Sequence, residues 1–215
     1  MHIVTHAGGL AMTNAHLIAD ETTKQAVLFD APDHTIAPLL DAAQKRGWDV
    51  VGLWLTHGHF DHFADHPLLR QRFPKAQILI HAAEELKVTH PEIQVRLFGL
   101  PIEIAPLKPD AYVTDGQMLK LGSMDVKVIH TPGHAPGHVV YYFPNEKVLV
   151  GGDMIIGGSV GRTDLPDSDH RQMAVSLKKI MMLSDDTKLL PGHGANSTIG
   201  DERETNFCLR DFLEG

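Results

Sequence analysis

The sequence predicts an α/β chain with mixed strand types. Short apolar runs closed by turn residues recur along it. Between several of them the apolar spacing switches to that of a helix. No long uninterrupted strand–helix–strand series runs through the chain, so the strands are not all expected to be parallel.

The elements follow in order. NAHLIAD and AVLFDA are apolar runs ended by turn residues and read as strands. HTIAPLLDAAQKRG sets Ile36, Leu39, Leu40 and Ala43 on one helical face, and Gly47 stands where a C-terminal cap belongs. DVVGLWLTH is a buried-strand run ending at His57. DHPLLRQRFP reads as a short helix entered at Asp65 or His66, with Pro67 in its first turn. AQILI is a further strand, and a helical AAEELK follows. Residues 91–117 carry Pro91, Pro101, Pro106 and Pro109 and read as loops around short strands. MDVKVIHTPGH runs a strand into a Pro-Gly turn. HVVYYF and KVLVGGD then read as a strand pair joined by the turn PNE. Tyr141 and Tyr142 must face opposite sides of their strand. Asp167 or Ser168 is placed to cap a helix whose apolar face is Met173, Leu177, Ile180 and Met181. TKLLPGHG is a last strand and turn, and GDERETNFCLRDFLEG closes as a short helix. With no repeat, linker or low-complexity segment, one domain over 1–215 is expected.

Composition narrows the function. At 215 residues and 43% hydrophobic the chain can bury a core without a metal staple, so a metal here points to catalysis. A net charge of -8 with no Lys/Arg block argues against a broad nucleic-acid surface. The single cysteine, Cys208, excludes an internal disulfide framework and suits a reducing compartment. MHIVTHAGGLAMTN lacks the features of a signal peptide, and no apolar run has the length of a membrane span. A cytoplasmic protein without a membrane partner is expected.

LTHGHFDH, residues 55–62, concentrates His57, His59, Asp61 and His62 at the end of a strand. TPGHAPGHV (His134), VGGDM (Asp153) and LPGHG (His193) repeat the arrangement: a strand, an abrupt glycine turn, and a metal-competent side chain. Ligands of α/β sheets gather outside strand carboxyl ends. Five imidazoles and two carboxylates exceed the four-coordinate need of one zinc and suit two metals with a shared carboxylate. In an extended segment His57 and His59 project the same way and can grip one ion, while Asp61 and His62 face a neighbouring one.

Near these donors, Asp30 either accepts a ring N–H from a ligand histidine or is a turn aspartate bonded to its own backbone. His138 could support a ligand or line the pocket, but reads better as a hydrogen-bonded strand-start histidine. Arg162 either pairs with a substrate carboxylate or, the preferred reading, pins its loop through Asp164.

The set His57-x-His59-x-Asp61-His62, His134, Asp153 and His193 resembles that of the metallo-β-lactamase-fold hydrolases, over nearly the whole chain. GRTDLPDSD after GGDMIIGGSV looks like the short bacterial glyoxalase II-like branch. The resemblance implies an αββα four-layer sandwich, two mixed sheets flanked by helices, with the site along one edge. It further implies that His57, His59 and His134 hold a first metal and Asp61, His62 and His193 a second, with Asp153 bridging. Zinc is the leading candidate, and iron or manganese also suits such donors. The implied reaction is attack of a metal-bridging hydroxide on an acyl carbon, with Asp61 orienting it. A thioester of the S-lactoylglutathione type is the implied substrate, its glutathione part held by loops of the core. The alternative is a persulfide dioxygenase with one iron on His57, His134 and Asp153; it shares the GRTD run, but LPGHG favours the hydrolase. Lactamases of the fold commonly have cysteine where Asp153 stands, which counts against lactamase activity here. The acidic charge counts against a ribonuclease.

Overall fold

A computed structural model describes Met1–Glu214. Its strands form two six-stranded sheets. The first has the order β1–β2–β3–β4–β5–β6 and the second β14–β13–β10–β9–β8–β7. In the first sheet, β1 (His2–Gly8), β2 (Thr13–Ala19) and β3 (Gln25–Phe29) pair antiparallel. The chain then continues parallel through β4 (Asp49–Trp54), β5 (Gln77–His81) and β6 (Ala111–Val113). In the second, β7 (Met118–Leu121), β8 (Met124–His130), β9 (Val139–Phe143) and β10 (Val148–Gly152) are antiparallel neighbours. β13 (Lys188–Pro191) lies parallel to β10 and antiparallel to β14 (Ser197–Thr198). Between β10 and β13 a small hairpin, β11 (Ile155–Ile156) with β12 (Ser159–Val160), stands apart. Both large sheets are mixed, as the strand pattern predicts.

The continuous apolar runs follow from burial on both faces of each sheet. In β3, Ala26 and Leu28 enter an outer core, while Val27 and Phe29 enter the core between the sheets. β9 divides likewise: Val139, Tyr141 and Phe143 point to the inter-sheet core, Val140 to the outside. Tyr141 is fully buried there and its hydroxyl donates to the Leu55 carbonyl at 2.9 Å. Helices seal the outer faces. Leu39, Leu40 and Ala43 of α1 (Ala37–Arg46) and Leu69 of α2 (His66–Arg72) cover the first sheet. Met173, Leu177 and Ile180 of α5 (His170–Ile180) cover the second, which completes four αββα layers. Gly47 ends α1 at φ 67°, the left-handed region in which glycine costs least.

Several boundaries differ from the sequence reading. The proline-rich stretch 91–117 contains a helix, α4 (Glu92–Phe98), which follows the short α3 (Glu85–Thr89). Pro91 precedes α4, where a missing N–H costs nothing. The cap of α5 is Asp169, not Asp167 or Ser168; its carboxylate accepts from the backbone N–H groups of Arg171 and Gln172. The closing helix is two, α6 (Ile199–Thr205) and α7 (Phe207–Glu214), interrupted at the extended Asn206. The Asn206 Oδ1 accepts from the Leu209 N–H and so starts the second helix.

The carboxyl ends of β4, β8, β10 and β13 lie along one edge, where the sheets are sewn together. Thr13 forms an isolated antiparallel bridge with His193. The Asn14 Nδ2 donates to the carbonyls of Pro191 and Gly194, each at 2.9 Å. Among the described residues no helix is long and apolar enough to cross a membrane.

Candidate metal centre

All seven side chains singled out at strand ends meet in one gap on this edge. His57 and His59 leave the segment after β4, and Asp61 and His62 sit in a one-turn 3-10 helix, Phe60–His62. His134 follows β8, Asp153 follows β10 and His193 follows β13. The Nε2 atoms of His57 and His134 each approach the His59 Nδ1 to 2.9 Å. The Asp153 Oδ2 lies 3.5 Å from the His134 Nε2 and 3.3 Å from the His193 Nε2, and its Oδ1 is 3.4 Å from the His62 Nε2. Asp61 Oδ2 is 3.5 Å from the His62 Nε2 and 3.4 Å from the His193 Nε2. Three groups have donor atoms mutually within 4.8 Å: His57–His59–His134, His57–His62–Asp153 and Asp61–His62–His193.

The opposite side of each ring fixes its tautomer. A carbonyl only accepts, so the Nδ1–H of His134 donates to Arg162 O at 2.9 Å and that of His193 to Ala11 O at 3.2 Å. The His62 Nδ1 donates to the Asp30 carboxylate at 2.9 Å. The Thr56 hydroxyl donates to the same carboxylate at 2.9 Å, which leaves its oxygen to accept the His57 Nδ1–H at 3.0 Å. Four rings therefore commit Nδ1 to protein and turn Nε2 into the gap, the arrangement that raises ligand basicity. His59 turns Nδ1 inward instead.

The donor set fits divalent cations. Three inward ring nitrogens converge, with the His57 and His134 Nε2 atoms each 2.9 Å from the His59 Nδ1, and each ring can offer a lone pair to a shared cation. Among the described residues, His62 Nε2 and Asp153 Oδ1 are buried without a hydrogen-bond partner, and they face one another. Gly192 belongs to this cradle, since a Cβ there would sit 2.2 Å from the Asp153 Oδ1.

Electrostatics divide the gap in two. Burial, followed by the neighbouring imidazoles, pushes the pKa of His57 and His59 well below the ordinary histidine value. Burial also opposes charge on His62, yet Asp61, Asp153 and Asp30 outweigh it and raise its pKa well above that value. At His193 burial is again outweighed, by Asp153 and Asp61, and its pKa is raised to about 10. Burial disfavours the carboxylate of Asp61, but His62, His193 and Thr13 hold its pKa down to about 2. Asp153 is likewise held well below the usual carboxylate range, burial being overcome by His62 and His193. One half disfavours charge on His57 and His59, and the other pairs carboxylates with imidazolium rings.

The supporting residues resolve as follows. Asp30 bonds the His62 ring and also the Thr56 N–H, at φ 58°. His138 is a hydrogen-bonded histidine just before β9. Its Nε2 accepts the Asp153 N–H at 3.0 Å, so it also steadies the backbone of the central carboxylate. The Arg162 guanidinium pins its loop through Asp164 at 2.6 and 2.8 Å, while its carbonyl anchors His134. Sequence reasoning missed Thr56 and Thr13, whose hydroxyl donates to Asp61 Oδ2 at 2.6 Å. Neither carries a spacing signal. The gap opens into a cavity of about 340 Å³ walled by Phe60, Phe98, Leu100 and Leu165, with Arg162 at its side.

Known proteins resemble this chain over nearly its whole length. The chain is 34% identical over 202 residues to the hydroxyacylglutathione hydrolase GloC of Haemophilus influenzae, covering 91% of this chain and 92% of that one. It is similar to the structure of a BLEG-1 B3 metallo-beta-lactamase, with a TM-score of 0.88 and 33% identity over 97% of this chain and 99% of the other. The structure of TTHA1623 in a di-iron-bound form gives a TM-score of 0.82 at 33% identity, over 96% and 99% of the two chains. The family model of the metallo-beta-lactamase superfamily matches residues 8–193, and the chain belongs to that superfamily.

Proposed function

We propose that the chain is a dinuclear metal-dependent thioester hydrolase of the glyoxalase II type, acting on S-lactoylglutathione or a similar glutathione conjugate. The observation that carries this reading is the central carboxylate of Asp153, within 3.5 Å of ring nitrogens from both halves of the gap. His57, His59 and His134 would hold one cation, Asp61, His62 and His193 a second, and Asp153 would touch both. Zinc is the first candidate; iron and manganese suit the same donors. When bound, such a pair lowers the pKa of water toward neutrality and polarises an acyl oxygen.

The chain's own residues do the rest. Asp61 lines the cavity as a carboxylate, tethered by Thr13, and orients attacking water through a hydrogen bond. The apolar wall of Phe60, Phe98, Leu100 and Leu165 keeps bulk water off the acyl carbon. A thiolate departs without a general acid. The Arg162 guanidinium stands beside the cavity but is committed to Asp164, so it shapes the wall and leaves the substrate carboxylate to other groups. The GloC similarity supports the substrate class. A mononuclear persulfide dioxygenase needs only His57, His134 and Asp153, and the four further donors in the same gap favour the hydrolase.

The test is elemental analysis of the purified protein together with thiol release from S-lactoylglutathione. Two metal equivalents with thiol release are expected. One iron with oxygen uptake on a persulfide, or β-lactam hydrolysis without thiol release, overturns the proposal.

A further inference from the structure

We infer that Glu84 is the positioning residue that sets the three-histidine half of the metal centre, a role that rests on the dinuclear reading above. Glu84 closes a 3-10 turn, Ala82–Glu84, at the carboxyl end of β5. Its side chain is fully buried and touches none of the seven donors by hydrogen bond. Instead it grips the two loops that carry them. Glu84 Oε2 accepts the Gly58 N–H at 2.9 Å, and Gly58 lies between His57 and His59. Glu84 Oε1 accepts the Gly137 N–H at 2.7 Å, in the turn that begins at His134. One carboxylate thus spans loops whose ring nitrogens must meet at 2.9 Å.

The surroundings are built for this grip. A Cβ at Gly58 would stand 2.9 Å from Glu84 Oε2, and one at Gly137 would stand 2.7 Å from its Cγ. Both glycines therefore admit the carboxylate to the backbone, which accounts for glycine in HGH and in APGH. Gln94 of α4 holds the other side of the same strip: its Nε2 donates to Gly58 O at 2.9 Å and its Oε1 accepts the Phe60 N–H at 3.0 Å. Lys87 supplies the counter-charge to Glu84 Oε2 at 2.9 Å and reaches Asp167 at 2.5 Å, tying in the loop beyond Arg162. Asp30 serves the other half of the gap through His62; Glu84 acts on the first half through backbone alone.

Glu84→Gln keeps the shape but turns an amide NH2 against one of two backbone N–H groups. Glu84→Asp keeps the charge but is too short to reach both loops. The measurement is titration of metal-free protein with zinc against a competing chelator, alongside thermal melts. The wild type is expected to show two binding events. In either variant one event is expected to weaken about 10- to 100-fold, the range for lost support of a ligand, while the other holds. Failure of Glu84→Gln to fold leaves Glu84→Asp to decide. Unchanged affinity for both ions in a folded variant overturns the inference. So does equal weakening of both in step with the melting temperature, which marks a merely structural residue. A wild type that binds no zinc overturns the metal reading itself, a different failure.

Discussion

Asp30→Asn tests whether the outer hydrogen bonds set the state of the gap. The carboxylate receives three donors, the Thr56 N–H, the Thr56 hydroxyl and the His62 Nδ1–H, each at 2.9 Å. Asparagine preserves volume and tolerates the left-handed backbone at φ 58° better than most residues, so strain is a small part of the outcome. With the amide oxygen left to the Thr56 N–H, the NH2 faces the hydroxyl and the ring. The wild-type ring can yield its Nε2 proton to a cation because its Nδ1–H stays on Asp30; in the variant Nδ1 has no acceptor, and the last ring proton is held on Nε2, directly opposite Asp153 Oδ1 at 3.4 Å. Thr56, now accepting, turns its proton toward the His57 Nδ1 and inverts that ring as well. Two rings thereby present N–H where a cation needs a lone pair. Lost outer support typically costs 10–100-fold in metal affinity, about 1.4–2.7 kcal/mol. The assay is zinc titration of the metal-free variant, with thiol release on the loaded form and a melt as control. Two equivalents bound at wild-type affinity would refute the tautomer reasoning.

Three other outcomes are expected. Gly192→Ala adds a methyl 2.2 Å from Asp153 Oδ1 and 3.0 Å from the His62 ring at a position without positive φ; elemental analysis should find at most one metal equivalent, and two would show that the carboxylate has room to retreat. Zinc affinity should rise with pH between 6 and 8, because the raised pKa values of His62 and His193 mean that uptake displaces protons; an affinity independent of pH contradicts this. Before metal is added, the same His193 shift stabilises the fold fully below its ordinary value of 6.5, and the gain disappears as pH climbs through about 10. Asp20 accepts from Thr22 N–H, the Thr23 hydroxyl, and both the N–H and hydroxyl of Ser123, which joins the β2–β3 turn to the β7–β8 turn. Asp20→Ala should cost about 2 kcal/mol in a denaturant melt without changing metal content. The Ser123 N–H is the first cause of its depressed pKa, so this stabilisation holds above the ordinary value of 3.8 and fades as pH falls; an unchanged acid limb in the variant would count against it.

The parts of the molecule that sequence makes visible are those set by local pattern. The helical face of Leu39, Leu40 and Ala43 shows in spacing, and so does the Gly47 cap. The donors show because each stands in a glycine turn after an apolar strand. What binds the donors together does not show. Glu84 and Gln94 act on backbone N–H and C=O groups, and any residue can supply those. Thr13 and Thr56 contribute single hydroxyls from ordinary strand sequence. The helix Glu92–Phe98 was hidden by the surrounding prolines, although Pro91 begins it as readily as it would break one. Asn206 interrupts the last helix because its side chain caps the next, a competition that composition alone does not decide.

The bridge between Thr13 and His193 ties the second strand of the chain to its last donor. Six of the seven donors have been synthesised by residue 153, but the seventh waits for position 193. Domains generally fold as units, so the gap closes only when β13 joins β10 and brings His193 to Asp61 and Asp153. A polypeptide stopped short of β13 would lack both the His193 ring and its bridge to Thr13, leaving Asp61 and Asp153 only the partners supplied by earlier residues.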